Sequence, residues 1–240
     1  MPVHECAMYP DDAAWETLYD AVEQGRQPPW PAMRFHLDAQ DTSLPGWSAL
    51  LQLVEDAAKD KRDTFSPKRA LGPERWRDVI ALPPSIATLT HVRKLDLYGS
   101  GLLRIPPQIG AMESLEVFVP YTSYGLHWFP YEITRCRRLA SSTVSTRALY
   151  GNRKHRPPFP ALEPIVPALV PARCSVCDGP IDPGRMTQVW ISLTVATDVL
   201  PLLVNACSTV CVETLPKAPA GYLPSPHRGG VHVQQPPADE

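Results

Sequence analysis

The sequence predicts an α/β chain: a helical N-terminal region, a short stack of repeating strand-and-turn units, and a small four-cysteine module. Three observations carry this expectation. A segment beginning at Leu82 recurs with starts at 105 and 129. Two close cysteine pairs, Cys174 with Cys177 and Cys207 with Cys211, stand near the C-terminal end. Proline supplies 29 of 240 residues, against about 5% in ordinary proteins, which favours short elements joined by stiff turns over a long helical bundle.

The first helix is expected at 11–24. Asp11 or Asp12 can cap it, Trp15, Leu18, Tyr19 and Val22 repeat on one face, and Gly25 stands just past its end. Pro28, Pro29 and Pro31 then forbid helix, and Met33, Phe35 and Leu37 alternate with polar residues as a short strand would. A second helix is expected at 45–60, with Pro45 in its first turn and Trp47, Leu50, Leu51, Val54, Ala57 and Ala58 on one apolar face. Residues 63–74 read as loop, and Glu74 to Ile80 as a short helical turn. Residues 1–81 together form a capping region.

The repeat follows. LPPSIATLTHVRKLDLYGSGLLR aligns with IPPQIGAMESLEVFVPYTSYGLHW and FPYEITRCRRLASSTVSTRALYGN. Such periods signal stacked supersecondary units. The spacing Val92-x2-Leu95-x-Leu97-x2-Ser100-x-Leu102 resembles the leucine-rich repeat, with Ser100 in the usual Asn/Cys place. The resemblance implies a short leucine-rich-repeat solenoid over 82–156, with Leu95 and Leu97 pointing into the stack and Ile86, Leu89, Ile109, Met112, Ile133 and Cys136 covering it from the convex side. The second unit carries Pro120 where a strand leucine belongs. The third carries Ser142 and Arg147 and reads as a degenerate cap. Leucine-rich repeats generally bind proteins, so the resemblance implies a partner surface on the outward positions Lys94, Asp96, Tyr98, Val117, Val119, Tyr121, Ser141, Thr143 and Ser145, with Arg147 beside them. Tyr121, Tyr124, His127, Trp128 and Tyr131 form either a contact patch or core beneath the irregular second unit.

Six prolines between 157 and 171 predict an extended linker. Cys174-x2-Cys177 and Cys207-x3-Cys211 then predict a tetrahedral site of four thiolates, a soft donor set that selects zinc. Val189, Ile191, Leu193 and Val195 alternate as a hairpin strand, Leu200 to Val204 returns, and Ser208 can cap a short helix carrying Cys211. This order resembles the treble-clef zinc fold over 172–216. With all four positions filled by protein, such a site is structural. The tail 217–240 lacks periodicity and is expected to be disordered.

With 23 basic and 25 acidic residues the formal charge is −2, and the chain as a whole makes no case for nucleic acid or an anionic membrane. The stretch 135–156 differs: Arg135, Arg137, Arg138, Arg147, Arg153, Lys154 and Arg156 fall where no acidic residue occurs, which keeps a nucleic-acid reading as the alternative. No phosphate-binding glycine loop, no G-x-S-x-G elbow and no H-E-x-x-H motif occurs, so the expectation is a non-enzymatic interaction protein. The N-terminus has no apolar secretory core, and polar residues and Pro201 interrupt the most apolar stretch, Val189 to Ala206. The expected location is therefore cytoplasmic, where cysteines favour metal over disulfides.

Overall fold

The computed structural model describes residues 35–237, and the helix expected at 11–24 lies outside them. Pro45 opens α1 (Pro45–Lys59), where its missing N–H costs nothing. Leu50, Val54 and Ala57 are its buried stripe. Leu44 precedes the helix without offering a side-chain acceptor, and Asp78 supplies one instead: the Gly46 N–H donates to Asp78 Oδ2 at 3.0 Å. Glycine permits that approach, because a Cβ at 46 would stand 2.1 Å from the Arg75 carbonyl oxygen.

Residues 63–74 are not the expected loop. They hold β1 (Thr64–Phe65) and most of α2 (Pro67–Arg77). The charged composition hid one apolar anchor, Phe65, which is 2% exposed. Gly72, with φ 79°, breaks α2 ahead of Pro73. Of the strand expected through Met33, Phe35 and Leu37, Met33 lies outside the described residues, and residues 35–37 are not in a strand. Phe35 instead stacks on Trp190 at 5.4 Å, and Leu37 faces solvent.

Four short strands build a parallel sheet in the order β1, β2 (Lys94–Asp96), β3 (Val117–Val119) and β5 (Ser141–Ser142). Lys94 pairs with Thr64 on one side and Val117 on the other, and Val117 pairs with Ser141. Short 3-10 turns at Pro84–Thr88, Pro107–Ala111 and Tyr131–Arg135 precede β2, β3 and β5. In the first two, proline at the start fixes φ and supplies no donor that would need a partner. Ile86, Leu89, Leu95, Leu97, Ile109, Met112, Phe118 and Ile133 are each at most 1% exposed between the turns and the strands. Beyond the strands, Ser100 Oγ donates to Ser123 Oγ at 2.7 Å, and Ser123 Oγ donates to the Leu97 carbonyl at 3.1 Å. The buried turns of consecutive units are thus stitched by hydroxyls, which satisfies polar groups that no water reaches.

A second, mixed sheet has the order β4 (Phe129–Pro130), β7 (Asp198–Ala206), β6 (Thr187–Val195). β6 and β7 form an antiparallel hairpin whose turn contains Ala196 at φ 53°. β4 joins β7 in parallel, Phe129 opposite Leu202. One continuous apolar cluster runs from Leu50 through the parallel sheet to Leu202, Val204 and Cys211. A smaller one gathers Trp128, Tyr150, Phe159, Leu162, Trp190 and Leu203.

The proline-rich segment and the tail run against this second cluster rather than away from it. Phe159 and Leu162 are buried, and the Trp190 indole N–H donates to the Pro160 carbonyl at 2.9 Å. His227 bridges to Trp190 with backbone bonds of 2.7 and 3.1 Å, and Leu162 N–H reaches the Arg228 carbonyl at 2.8 Å. Proline content suggested a spacer, and missing periodicity suggested disorder. Neither composition nor period registers a few apolar anchors that dock an irregular strap.

Candidate metal centre

Cys174 and Cys177 sit on a tight turn. The Asp178 N–H donates to the Cys174 carbonyl at 3.1 Å, and the Cys174 N–H donates to the Gly179 carbonyl at 2.7 Å. Asp178 takes φ 59° to close it, a conformation that Asp tolerates better than most residues. The second pair comes from the hairpin's end: Cys207 follows β7, and Cys211 lies on α3 (Thr209–Glu213). Ser208 caps α3 as expected, its Oγ accepting from the Cys211 N–H at 3.4 Å. The strong β6–β7 ladder therefore fixes where Cys207 and Cys211 meet the first pair.

The four sulfurs all lie within 4.8 Å of one another. Cys177 and Cys207 Sγ are 3.6 Å apart, as are those of Cys207 and Cys211. A tetrahedron with zinc–sulfur bonds of about 2.3 Å separates its sulfurs by roughly 3.8 Å, so the cluster has the dimensions a metal ion requires. Backbone N–H groups of Val176 and Cys207 point at Cys174 Sγ from 3.4 and 3.3 Å. Burial raises the Cys174 thiol, but backbone donors outweigh it and bring the group down to about 7. Cys211 is pushed up to about 12, chiefly by burial, and Cys207 is raised, first by its contact with Cys177. Four sulfurs this close cannot all ionise unaided. A divalent cation lifts that restriction by displacing the protons, which fits the donor set.

Arg135 reaches this turn from the parallel sheet. Its guanidinium donates to the carbonyls of Cys174 and Ser175 at 3.1 and 2.9 Å and to Asp178 Oδ1 at 3.2 Å. Glu132, 3% exposed, lies beside it with its carboxyl pushed up by burial despite a hydrogen bond to Ser175. At the far end of the hairpin, Ser142 Oγ donates to Asp198 Oδ2 at 2.6 Å, and Thr197 Oγ1 donates to the Ser142 carbonyl at 2.8 Å. Sequence reasoning placed Arg135 in a basic stretch and Ser142 in a poorly formed repeat. Their partners lie 39 to 56 residues onward, and no local pattern marks them.

The expected partner surface divides. Lys94, Tyr98, Tyr121, Ser141, Thr143 and Arg147 are exposed, and Asp96, Val117 and Val119 are half-buried. Ser145 is buried, its Oγ accepting from the Thr122 N–H at 2.8 Å. In the aromatic group, Tyr121 and Tyr124 are exposed, whereas His127 and Trp128 are core. Cys136 is buried in the core with its thiol pushed up to about 12 by burial; Cys6 lies outside the described residues. No described helix is long and apolar enough to cross a membrane. Comparison with protein-family models, with curated proteins and with solved structures finds no match to this chain.

Proposed function

We propose that the chain is a non-catalytic protein-interaction module. In this reading a short leucine-rich-repeat-like array displays side chains from its strands and turns, and a treble-clef-like unit carries structural zinc on Cys174, Cys177, Cys207 and Cys211. Bound zinc would cross-link the two cysteine turns where so short a segment has little core of its own.

One observation carries the display reading. Tyr98 and Tyr121 follow β2 and β3 on consecutive turns, are both 46% exposed, and stand with ring centroids 6.2 Å apart. The Lys68 ammonium lies 4.9 Å from the Tyr98 ring. Backbone bonds hold both turns in place, Leu97 N–H to the Val119 carbonyl at 2.9 Å and Gly99 N–H to the Tyr121 carbonyl at 2.8 Å. Large aromatic side chains on an ordered backbone lose little freedom on binding, and tyrosine is enriched among the residues that dominate interfaces. Lys94, Asp96 and Arg147 supply the polar rim.

The test is affinity capture from native extract with the full chain, run with and without nuclease. Tyr98→Ala with Tyr121→Ala should remove at least about 2 kcal/mol of binding while leaving the thermal midpoint nearly unchanged. An identical set of captured proteins would refute the reading.

A nucleic-acid reading draws on Arg137, Arg138, Arg153 and Lys154, which are exposed in a segment without acidic residues. It is weakened because Arg135 is engaged by the cysteine turn and Arg156 donates to the carbonyls of Gln235 and Pro236. A salt titration separates the two, since phosphate binding weakens steeply as counterions are added.

A further inference from the structure

We infer that metal binding at the four cysteines is coupled to the order of the parallel sheet, and that Arg135 is the positioning residue that carries the coupling. The inference rests on the structural-metal reading and adds a role for the metal outside its own module.

Its basis is where the metal-bearing unit sits. Among the described residues β5 is the last strand of the parallel sheet, and its outer side is met by the tip of the hairpin rather than by another unit. Ser142 N–H donates to Thr197 Oγ1 at 3.1 Å, and Thr197 N–H donates to Ser142 Oγ at 3.3 Å. The same hairpin delivers Cys207 and Cys211 at its opposite end. Arg135 closes the loop of contacts. It ends the 3-10 turn that leads into β5, and one guanidinium group spans the Cys174 and Ser175 carbonyls and Asp178. Backbone bonds close the cysteine turn, from Asp178 N–H to the Cys174 carbonyl at 3.1 Å and from Cys174 N–H to the Gly179 carbonyl at 2.7 Å, and the four sulfurs offer a further cross-link from it to Cys207 and Cys211. A metal ion that cross-links this turn to the end of the hairpin would hold the acceptors of Arg135 more rigidly, and the sheet edge would gain a stiffer cap.

Charge points the same way. Four thiolates around a divalent ion leave a net negative unit, and a guanidinium bonded to the turn's carbonyls is a cation held beside it. Asp178 is shared between Arg135 and Arg173, at 3.2 and 2.9 Å, and burial pushes the neighbouring Glu132 carboxyl up, toward its neutral form. Groups that orient a ligand turn without touching the ion commonly change metal affinity by about 10- to 100-fold.

The experiment uses the full chain. Zinc content and affinity are measured by competition with a chromophoric chelator, cobalt(II) substitution reports the thiolate set, and amide exchange is followed with and without metal. In the wild-type protein, removing zinc should reduce protection about tenfold or more at Cys136 to Thr143, beyond the cysteine module itself. Arg135→Met should still bind one equivalent with a four-thiolate cobalt spectrum, but about 10- to 100-fold more weakly, and with a smaller metal-dependent gain at those amides. Arg135→Lys keeps the charge without the fork and should fall between. One equivalent of zinc with unchanged protection at 136–143, or unaltered affinity in Arg135→Met, would overturn the inference alone. Stoichiometry near zero would overturn the metal reading and this inference with it.

Discussion

His127 is 3% exposed, and its Nδ1 donates to the Ala148 carbonyl at 2.6 Å. Its ring stacks on Tyr150 at 5.3 Å and lies 5.8 Å from His36. Burial pushes its pKa from 6.5 down to about 4, outweighing the carbonyl contact, and the neighbouring His36 acts in the same direction. His227 is lowered to about 4 by burial alone. A depressed folded-state value means that the unfolded chain binds more protons between these limits. Stability is therefore complete above about 6.5 and is lost as the pH falls toward 4, at about 1.4 kcal/mol for each unit of separation. Urea midpoints at pH 7.5, 6.0 and 5.0 should fall in that order, and His127→Gln, which retains a donor for Ala148, should flatten the decline. Equal slopes for the two proteins would refute this assignment. The residues carrying local chemistry were open to sequence reasoning in proportion to how local that chemistry is. The cysteines pair at short spacing and were identified as a set. Arg135 and His127 act on carbonyls 39 and 21 residues away, and nothing adjacent to them in sequence records it.

At the scale of elements, regular spacing was legible and its exceptions were not. Leucines two apart, with proline-led turns between units, placed β2 and the turn layer correctly. The hydrophobic alternation of 187–195 placed β6. β1 has two residues and α2 is broken at Gly72, so neither offers a period to detect. The third unit is the instructive case. Ser142 stands where the repeat would have a leucine, and its departure reads as degeneration. In the folded chain it is 8% exposed and bonds Thr197 and Asp198 from the hairpin turn. Asp198 is raised by burial, with the Ser142 hydroxyl opposing that shift. Restoring the repeat by Ser142→Leu should accordingly destabilise the protein, by about 1–3 kcal/mol, because Asp198 and Thr197 lose a buried partner. Denaturant unfolding of the variant checks it. A more stable Ser142→Leu protein would mean that the site is an unfilled leucine position after all.

For the molecule as a whole, composition suggested separable parts: an array at 82–156, a linker at 157–171 and a module at 172–216. Side-chain packing joins them. Phe129 pairs with Leu202 across the β4–β7 ladder, and Ile133, Val144, Leu200 and Val204 belong to one apolar cluster. Trp190 of the hairpin meets Trp128 at 6.0 Å and Tyr150 at 5.8 Å, which closes the second cluster from both sides of the supposed boundary. Such contacts run between residues far apart in sequence, so the local signals that mark proline-rich linkers cannot register them. An array cut from the rest would expose the apolar faces that β7 and Trp190 cover, and would leave β5 as a bare edge, a known route to aggregation. A chain ending at 156 should therefore lack a sharp unfolding transition, bind a hydrophobic dye and show poorly dispersed amide resonances. The full chain should unfold in one transition that chelation moves as a unit, rather than in two transitions of which only one responds to metal. A truncated chain with dispersed resonances and cooperative melting would establish the parts as independent, and the continuous cluster would then be an interface between domains and not a shared core.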